Sequence, residues 1–187
     1  LGAHRTFDRD GDRHYDVISA FIKSMRGSNP HAATLWLAVM LEGGEDPLFI
    51  ARRLVIFSSE DIGNADPRAL TLATSCLQAV QSIGMPEARI ILSQTTNYLA
   101  STVKSNASYK AINEAMQFVD DHPTIEVPSH LKNKGPQKKN YKYPHNYPEG
   151  YVPQEYAPPK TPPFYKPYSR GQEAFLEERL KKLGQLK

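Results

Sequence analysis

Asp8, Asp10 and Asp12 stand at alternate positions around Gly11, and such a run invites a calcium loop. It fails on spacing: the glycine comes two positions early for the sharp turn, and the twelfth position is Ser19 where a bidentate Glu is required. The six histidines, His4, His14, His31, His122, His130 and His145, are dispersed. No pair lies four residues apart around a Glu, so the helical zinc-protease motif is absent. His14 and His31 fall near helix starts and read as surface or capping residues. Cys76 is the single cysteine, which excludes a disulfide framework and every multi-cysteine metal site. Its apolar neighbours Leu72, Ala73 and Val80 mark it as a buried, inert thiol. Glu60 and Asp61 are adjacent carboxylates, but neighbours on a helix diverge by about 100°, which is unsuited to sharing a proton. No catalytic residue, metal-ligand set or cofactor-binding residue emerges.

Nucleotide chemistry is missing in the same way. The chain has no G-x-x-x-x-G-K-[ST] loop and no G-x-G-x-x-G turn, so nothing local would cradle a phosphate. The one cluster with binding chemistry is basic. Lys132, Lys134, Lys138, Lys139 and Lys142 lie within eleven residues, with no acidic residue among them. Tyr141, Tyr143, Tyr147, Tyr151, Tyr156, Tyr165 and Tyr168 follow or interleave. Lysines attract phosphates and tyrosine faces stack on unpaired bases, so these lysines are candidate DNA contacts. The alternative is a proline-stiffened segment whose tyrosines pack along the body while its lysines are merely solvated. Tyrosine at this density is unusual in a disordered linker, which favours an ordered wrap.

The elements that would position such residues divide into two kinds. Residues 1–130 hold 11 basic and 15 acidic residues, whereas 131–187 hold 12 basic and 5 acidic, so a net charge of +3 conceals an acidic body and a basic tail. Of the 15 prolines, 11 lie between Pro123 and Pro167. In the body, Asn29-Pro30, Asp46-Pro47 and Asp66-Pro67 each pair a capping side chain with proline at the first helical position. Gly27, Gly43-Gly44, Gly63 and Gly84 precede the starts as stops. Between the stops, apolar residues recur at helical spacing, from Val17, Phe21 and Met25 through to Ile112, Met116 and Val119. The pattern predicts an all-α bundle of about six helices of roughly 12–18 residues, then an extended Pro/Tyr-rich arm and a short helix over 172–182. The expected organisation is a lead-in over 1–12, a helical domain over 13–121 and the arm over 122–187. The start, Leu1-Gly2-Ala3, lacks an initiator Met and a signal h-region and reads as a cut within a longer chain. No apolar run approaches the ~18 residues of a membrane span.

Several strings together resemble one family. They are His14–Ser28, Ala51–Leu54, Ser59–Gly63, Ala65–Leu70, Lys104–Ala107 and Tyr141–His145 with Tyr147-Pro148. In this order they resemble the C-terminal region of the replication-associated recombination ATPases, the RarA/MgsA family related to the Werner-helicase-interacting protein. The resemblance implies a clamp-loader-type AAA+ ATPase acting at stalled forks in DNA replication, recombination and repair. Within it, this chain would be the helical domain that assembles tetramers, and not itself an enzyme. ATP and magnesium would bind in an upstream region, leaving no cofactor for these residues. The implied partners are further copies of the chain, DNA held by the full assembly, and single-strand DNA-binding and other replication proteins. The implied location is cytoplasmic, with no membrane contact. A nucleic-acid-binding module carried by the basic arm is the competing reading. Leu35, Val39, Ile50 and Phe57 lie off the main apolar stripes, which suggests a second buried surface and makes them candidates for an oligomer interface.

Overall fold

Asparagine or aspartate ahead of proline starts two helices in the anticipated way. The Asn29 side chain accepts from the Ala32 amide at 3.0 Å to open α2 (Pro30–Glu42), and that of Asp46 accepts from the Leu48 amide at 3.0 Å to open α3 (Pro47–Phe57). The computed structural model describes residues 11–186, and most of the lead-in, with Asp8 and Asp10 of the rejected calcium run, lies outside them. Around these two helices stand α1 (Asp12–Arg26), α4 (Arg68–Ile83), α5 (Ala88–Ser101) and α6 (Ala107–Asp121). No strand occurs among the described residues. The all-α architecture therefore stands, with α3 shorter than the expected range because the chain continues into a π-helical turn, Ser58–Ile62.

The chain divides into two compact units. The first comprises residues up to Tyr109 together with Pro167–Glu177; the second comprises Lys110–Lys166 and Glu178–Lys187. Composition places a break at 121/122, whereas the compact units divide in the first turn of α6, between Tyr109 and Lys110, and Pro167–Glu177 of the arm belongs to the first unit.

In the first unit, α1 packs on α2, α2 on α5, and α4 on both α3 and α5. Their apolar faces meet in one core that includes Phe21, Met25, Met40, Leu54 and Leu92. Ile50 and Phe57 belong to that core at 1% exposure each, which removes both as interface candidates. Their off-stripe spacing has a simple cause: α3 is covered by α4 on one side and α5 on another, so it buries more than one face. Val39 is partly buried against the same core, and Leu35 is exposed. Cys76 is buried as expected, and burial pushes its thiol up despite a hydrogen bond with Thr95. His14 corrects the reading made from its position. It is buried, with Nδ1 at 2.9 Å from the Glu45 carboxylate of the α2–α3 turn.

Asp66 is the larger correction. Its side chain does not cap α4, which has Pro67 at its cap position and no side-chain cap bond. The carboxylate turns inward instead, at 2% exposure. It accepts from the Tyr98 hydroxyl, from Thr102 Oγ1 at 2.7 Å and from Arg68 Nε at 3.0 Å. Burial pushes the Asp66 carboxyl up, but these three donors and the Arg68 charge outweigh it and hold the group below the usual carboxylate range. The stability this supplies is present above the unfolded value of about 3.9 and is lost as pH falls through the lower folded value. Tyr98→Phe is expected to cost about 1.5–3 kcal/mol at pH 7, the range for a hydrogen bond to a charged group. The cost should shrink at low pH, because the Asp66 carboxyl, left with Thr102 and Arg68 alone, protonates more readily in the variant. Urea unfolding of both proteins at pH 7 and pH 3.5 measures it, and an equal cost at the two values would contradict the assignment.

Candidate functional site

Two places bring polar side chains together. The first is a junction inside the first unit that collects several of the strings named above. Arg26, in the last turn of α1, forks onto Asp61 of the π-helical turn at 2.8 and 3.2 Å. That contact is the main cause raising the Arg26 guanidinium, with burial opposing it. The Asp61 carbonyl accepts from the Ser105 amide at 2.8 Å. Lys104 Nζ donates to Ser28 Oγ at 3.2 Å, to the Ala100 carbonyl at 3.0 Å and to the Thr102 carbonyl, closing the end of α5. Burial lowers the Lys104 ammonium, partly offset by the Asp61 charge.

The next three residues receive the far end of the chain. Ser105 Oγ caps α6 by accepting from the Ala107 amide at 3.2 Å, and it donates to Glu173 Oε1 at 2.6 Å. Glu173 opens the terminal helix α7 (Glu173–Lys182), is fully buried, and also accepts from the Tyr168 amide at 3.0 Å. The Tyr168 hydroxyl donates to Asn106 Oδ1 at 2.9 Å, and Arg170 lies 4.2 Å over the Tyr168 ring. The Gln172 amide reaches the Ala65 carbonyl at 2.8 Å. Such an approach admits only glycine at 171, where φ is +54° and a Cβ would meet the Ala65 oxygen at 2.4 Å.

Chemically the junction is saturated. Asp61, Asp66 and Glu173 each accept from named donors, so the site offers no free base. Glu60 and Asp61 do not act together, since Asp61 is committed to Arg26. Among the described residues no group of His, Cys, Asp and Glu could hold a metal ion, and no helix is long and apolar enough to cross a membrane. The junction fastens segments of the first unit to one another.

The second place is the basic arm, within the second unit. Its backbone runs through short 3-10 turns, Ser129–Leu131, Pro136–Asn140, Pro144–Asn146 and Pro148–Gly150, three of them opened by proline. Lys132, Lys134, Lys138, Lys139 and Lys142 are all exposed, and none forms an ion pair among the described residues. Around them the unit is tied internally. Phe118 packs edge-on to Phe164 at 5.8 Å, His130 Nε2 lies 2.7 Å from the Glu155 carbonyl, and the Tyr151 hydroxyl donates to the Leu183 carbonyl at 3.0 Å. Gln154 grips the Lys142 backbone: the Lys142 amide donates to Gln154 Oε1 at 3.2 Å, and Gln154 Nε2 donates to the Lys142 carbonyl at 2.8 Å. Sequence reasoning missed Gln154 and the Ser105–Glu173 contact, because nothing in a lone Gln or in a Glu at a helix start signals burial or a distant partner.

Gly171→Ala tests the fastening. Overpacking of this kind costs about 1–3 kcal/mol, and more where the opposing atom is backbone. Limited proteolysis should cut the variant faster within 164–172 than the parent, with the α1–α5 core still giving a cooperative melt. Unchanged cleavage would contradict the close approach.

Comparison with known proteins places this geometry. Residues 27–184 match the family model described as MgsA AAA+ ATPase C terminal, and residues 2–26 match an AAA C-terminal domain. An AAA domain-containing protein of Mycobacterium tuberculosis is 47% identical over 186 residues, covering 95% of this chain and 41% of that protein. Replication-associated recombination protein A of Haemophilus influenzae is 42% identical over 187 residues, covering 95% and 42%. The Bacillus subtilis protein of the same name is 44% identical over 173 residues, covering 88% and 41%. The chain thus spans about two fifths of the length of these relatives. The saturated junction and the strings that build it are accordingly those of a C-terminal region, and the chain belongs to the MgsA AAA+ ATPase C-terminal family.

Proposed function

We infer that this chain is the self-association module of a replication-associated recombination ATPase, holding copies of an AAA+ motor together, four in number, for work on DNA during replication, recombination and repair. The observation that supports this reading best is the outer face of α6. Ile112, Met116 and Val119, spaced i, i+4 and i+7, are 56%, 65% and 55% exposed. The adjacent side of the helix, about 100° round, carries Ala111, Ala115 and Phe118, which are partly buried. A helix apolar on two sides asks for two neighbours, and an isologous contact with a second copy supplies the missing one. Leu35, exposed on α2, and the partly buried Val39 remain secondary candidates for the same purpose.

On this reading the chain has no catalysis of its own. ATP and magnesium are held outside these 187 residues, in the ATPase portion of the full-length protein. DNA is engaged by the assembled protein, single-strand DNA-binding and other replication proteins are its partners, and the setting is cytoplasmic.

Sedimentation equilibrium of the chain at tens of micromolar tests the proposal. The expected mass is a multiple of 21.0 kDa, fourfold for a tetramer, without added DNA. Ile112→Glu with Met116→Glu is expected to lower the mass below that of the parent while the chain keeps its helical signal and a cooperative melt, because both residues are exposed within one chain. A parent chain that stays monomeric across the concentration range would overturn the reading.

A further inference from the structure

The basic arm carries more than charge. No acidic residue occurs from 127 to 148, while five lysines fall within 132–142. Interleaved with the end of that run are Tyr141 and Tyr143, 40% and 53% exposed, large aromatic rings left in water beside ammonium groups. Tyr147 follows at 38%. Isolated exposed tyrosines are ordinary, but three in seven residues next to an uncompensated basic run form one composite surface.

The backbone beneath them is fixed. Only an extended residue presents its N–H and C=O to the same side, and Gln154 takes both from Lys142. The flanking residues are extended as well, with φ −66° and ψ 128° at Tyr141 and φ −77° and ψ 113° at Tyr143. Gln154 Nε2 is also 2.8 Å from the Tyr156 hydroxyl, so its orientation is set from a second direction. Prolines 136, 144 and 148 open the turns on either side. Two residues of extended chain advance about 6–7 Å, near twice the roughly 3.4 Å rise per base of a stacked strand. Alternate positions of an extended backbone at that spacing suit bases pulled apart from one another, and the Tyr143 ring lies beside that of His145, centroids 5.3 Å apart.

The geometry points to a single-stranded DNA platform on the segment 132–147, in which Tyr141 and Tyr143 stack on bases while Lys138, Lys139 and Lys142 hold the phosphates. The choice of DNA as the polyanion rests on the proposed role in replication and recombination; the choice of single strand rests on the rings and the backbone. Phosphate contacts by lysine carry no base information, so binding is sequence-tolerant. Gln154 is a positioning residue, acting through the Lys142 backbone.

Fluorescence anisotropy of the full chain with a labelled twenty-base oligothymidine, and with a duplex of equal length, tests the platform over a salt series. The single strand should bind more tightly than the duplex. Tyr141→Ala with Tyr143→Ala should weaken single-strand binding by about tenfold or more, within the range for base stacking. Tyr141→Phe with Tyr143→Phe keeps the rings and should bind as the parent does, which separates stacking from any loss of fold. Lys138, Lys139 and Lys142 changed together to Gln should reduce the log–log salt slope by about 2, near 0.7 for each phosphate contact on a single strand. Equal affinity for duplex and single strand, or an alanine pair that binds like the parent, would overturn the proposal. So would a chain that ignores both oligonucleotides at 50 mM salt yet binds anionic phospholipid vesicles. Because the readout is DNA affinity, a monomeric chain that passes this test would refute self-association alone, and an oligomer that fails it would refute the platform alone.

Discussion

A carboxylate removed from water has to be met by donors, and in the first unit, besides Glu45 against His14, three such groups are met by residues far away in sequence. Asp61 takes Arg26, Asp66 takes Tyr98 and Thr102, and Glu173 takes Ser105. Leaving any of these acceptors unpaired in a low-dielectric site costs more than the pairing gains, so the segments that carry the donors have little freedom to shift. Through Arg26 the end of α1 is tied to the turn after α3. Tyr98 and Thr102 tie the end of α5 to the start of α4, and Ser105 ties the start of α6 to the start of α7. The apolar core supplies the bulk of the stabilisation, at about 1.5–3 kcal/mol for each large side chain removed from water. It is non-directional, however, and would tolerate neighbouring registers that the polar contacts exclude.

The distribution of carboxylates explains why this region looks polar: each is committed to donors of the fold. A general base needs a lone pair free to take a proton and a pKa near the working pH. Asp66 is driven the other way, held ionised by its donors. Lys104, an amine lowered by burial, spends its protons on Ser28 and on carbonyls at the end of α5. Arg26 and Asp66 are shifted toward their charged forms by the partners they hold, whereas Lys104 is lowered by burial.

Local signals were legible in the sequence and long-range ones were not. The Asn29 and Asp46 caps, the glycine stops, the helical periods and the burial of Cys76 rest on contacts within a few residues, and the spacing of residue types suffices to read them. Asp66-Pro67 carries the same local signature as its two siblings, yet its carboxylate leaves the cap for Tyr98 and Thr102. The competing donors are 32 and 36 residues away and invisible to any local pattern. His14 was misread for the same reason, since Glu45 lies in a distant turn. Ile50 and Phe57 were assigned to an interface because a single buried stripe was assumed for α3. A helix enclosed by α4 and α5 breaks that assumption, while Ile112, Met116 and Val119 on α6 fit a regular stripe and yet face water. Periodicity identifies an apolar face; only the fold says whether this chain covers it.

In the basic arm the tyrosine density points to order, and the structure shows how prolines and side-chain contacts supply it. Proline at the turn starts fixes φ in advance, so each 3-10 turn loses less backbone freedom on folding than an unbiased segment would. The gain is a rigid display of like charge, which repels itself and is stable only with solvent or a counter-charge nearby. A net charge of +3 for the whole chain hides this, because screening limits each group's reach to about 8 Å at physiological salt. Within that reach an approaching polyanion meets the lysines of 132–142 and no acid between 127 and 148. The local field, set by a run that no carboxylate interrupts, therefore decides what the arm attracts, and the extended backbone held by Gln154 decides what shape of polyanion it can keep.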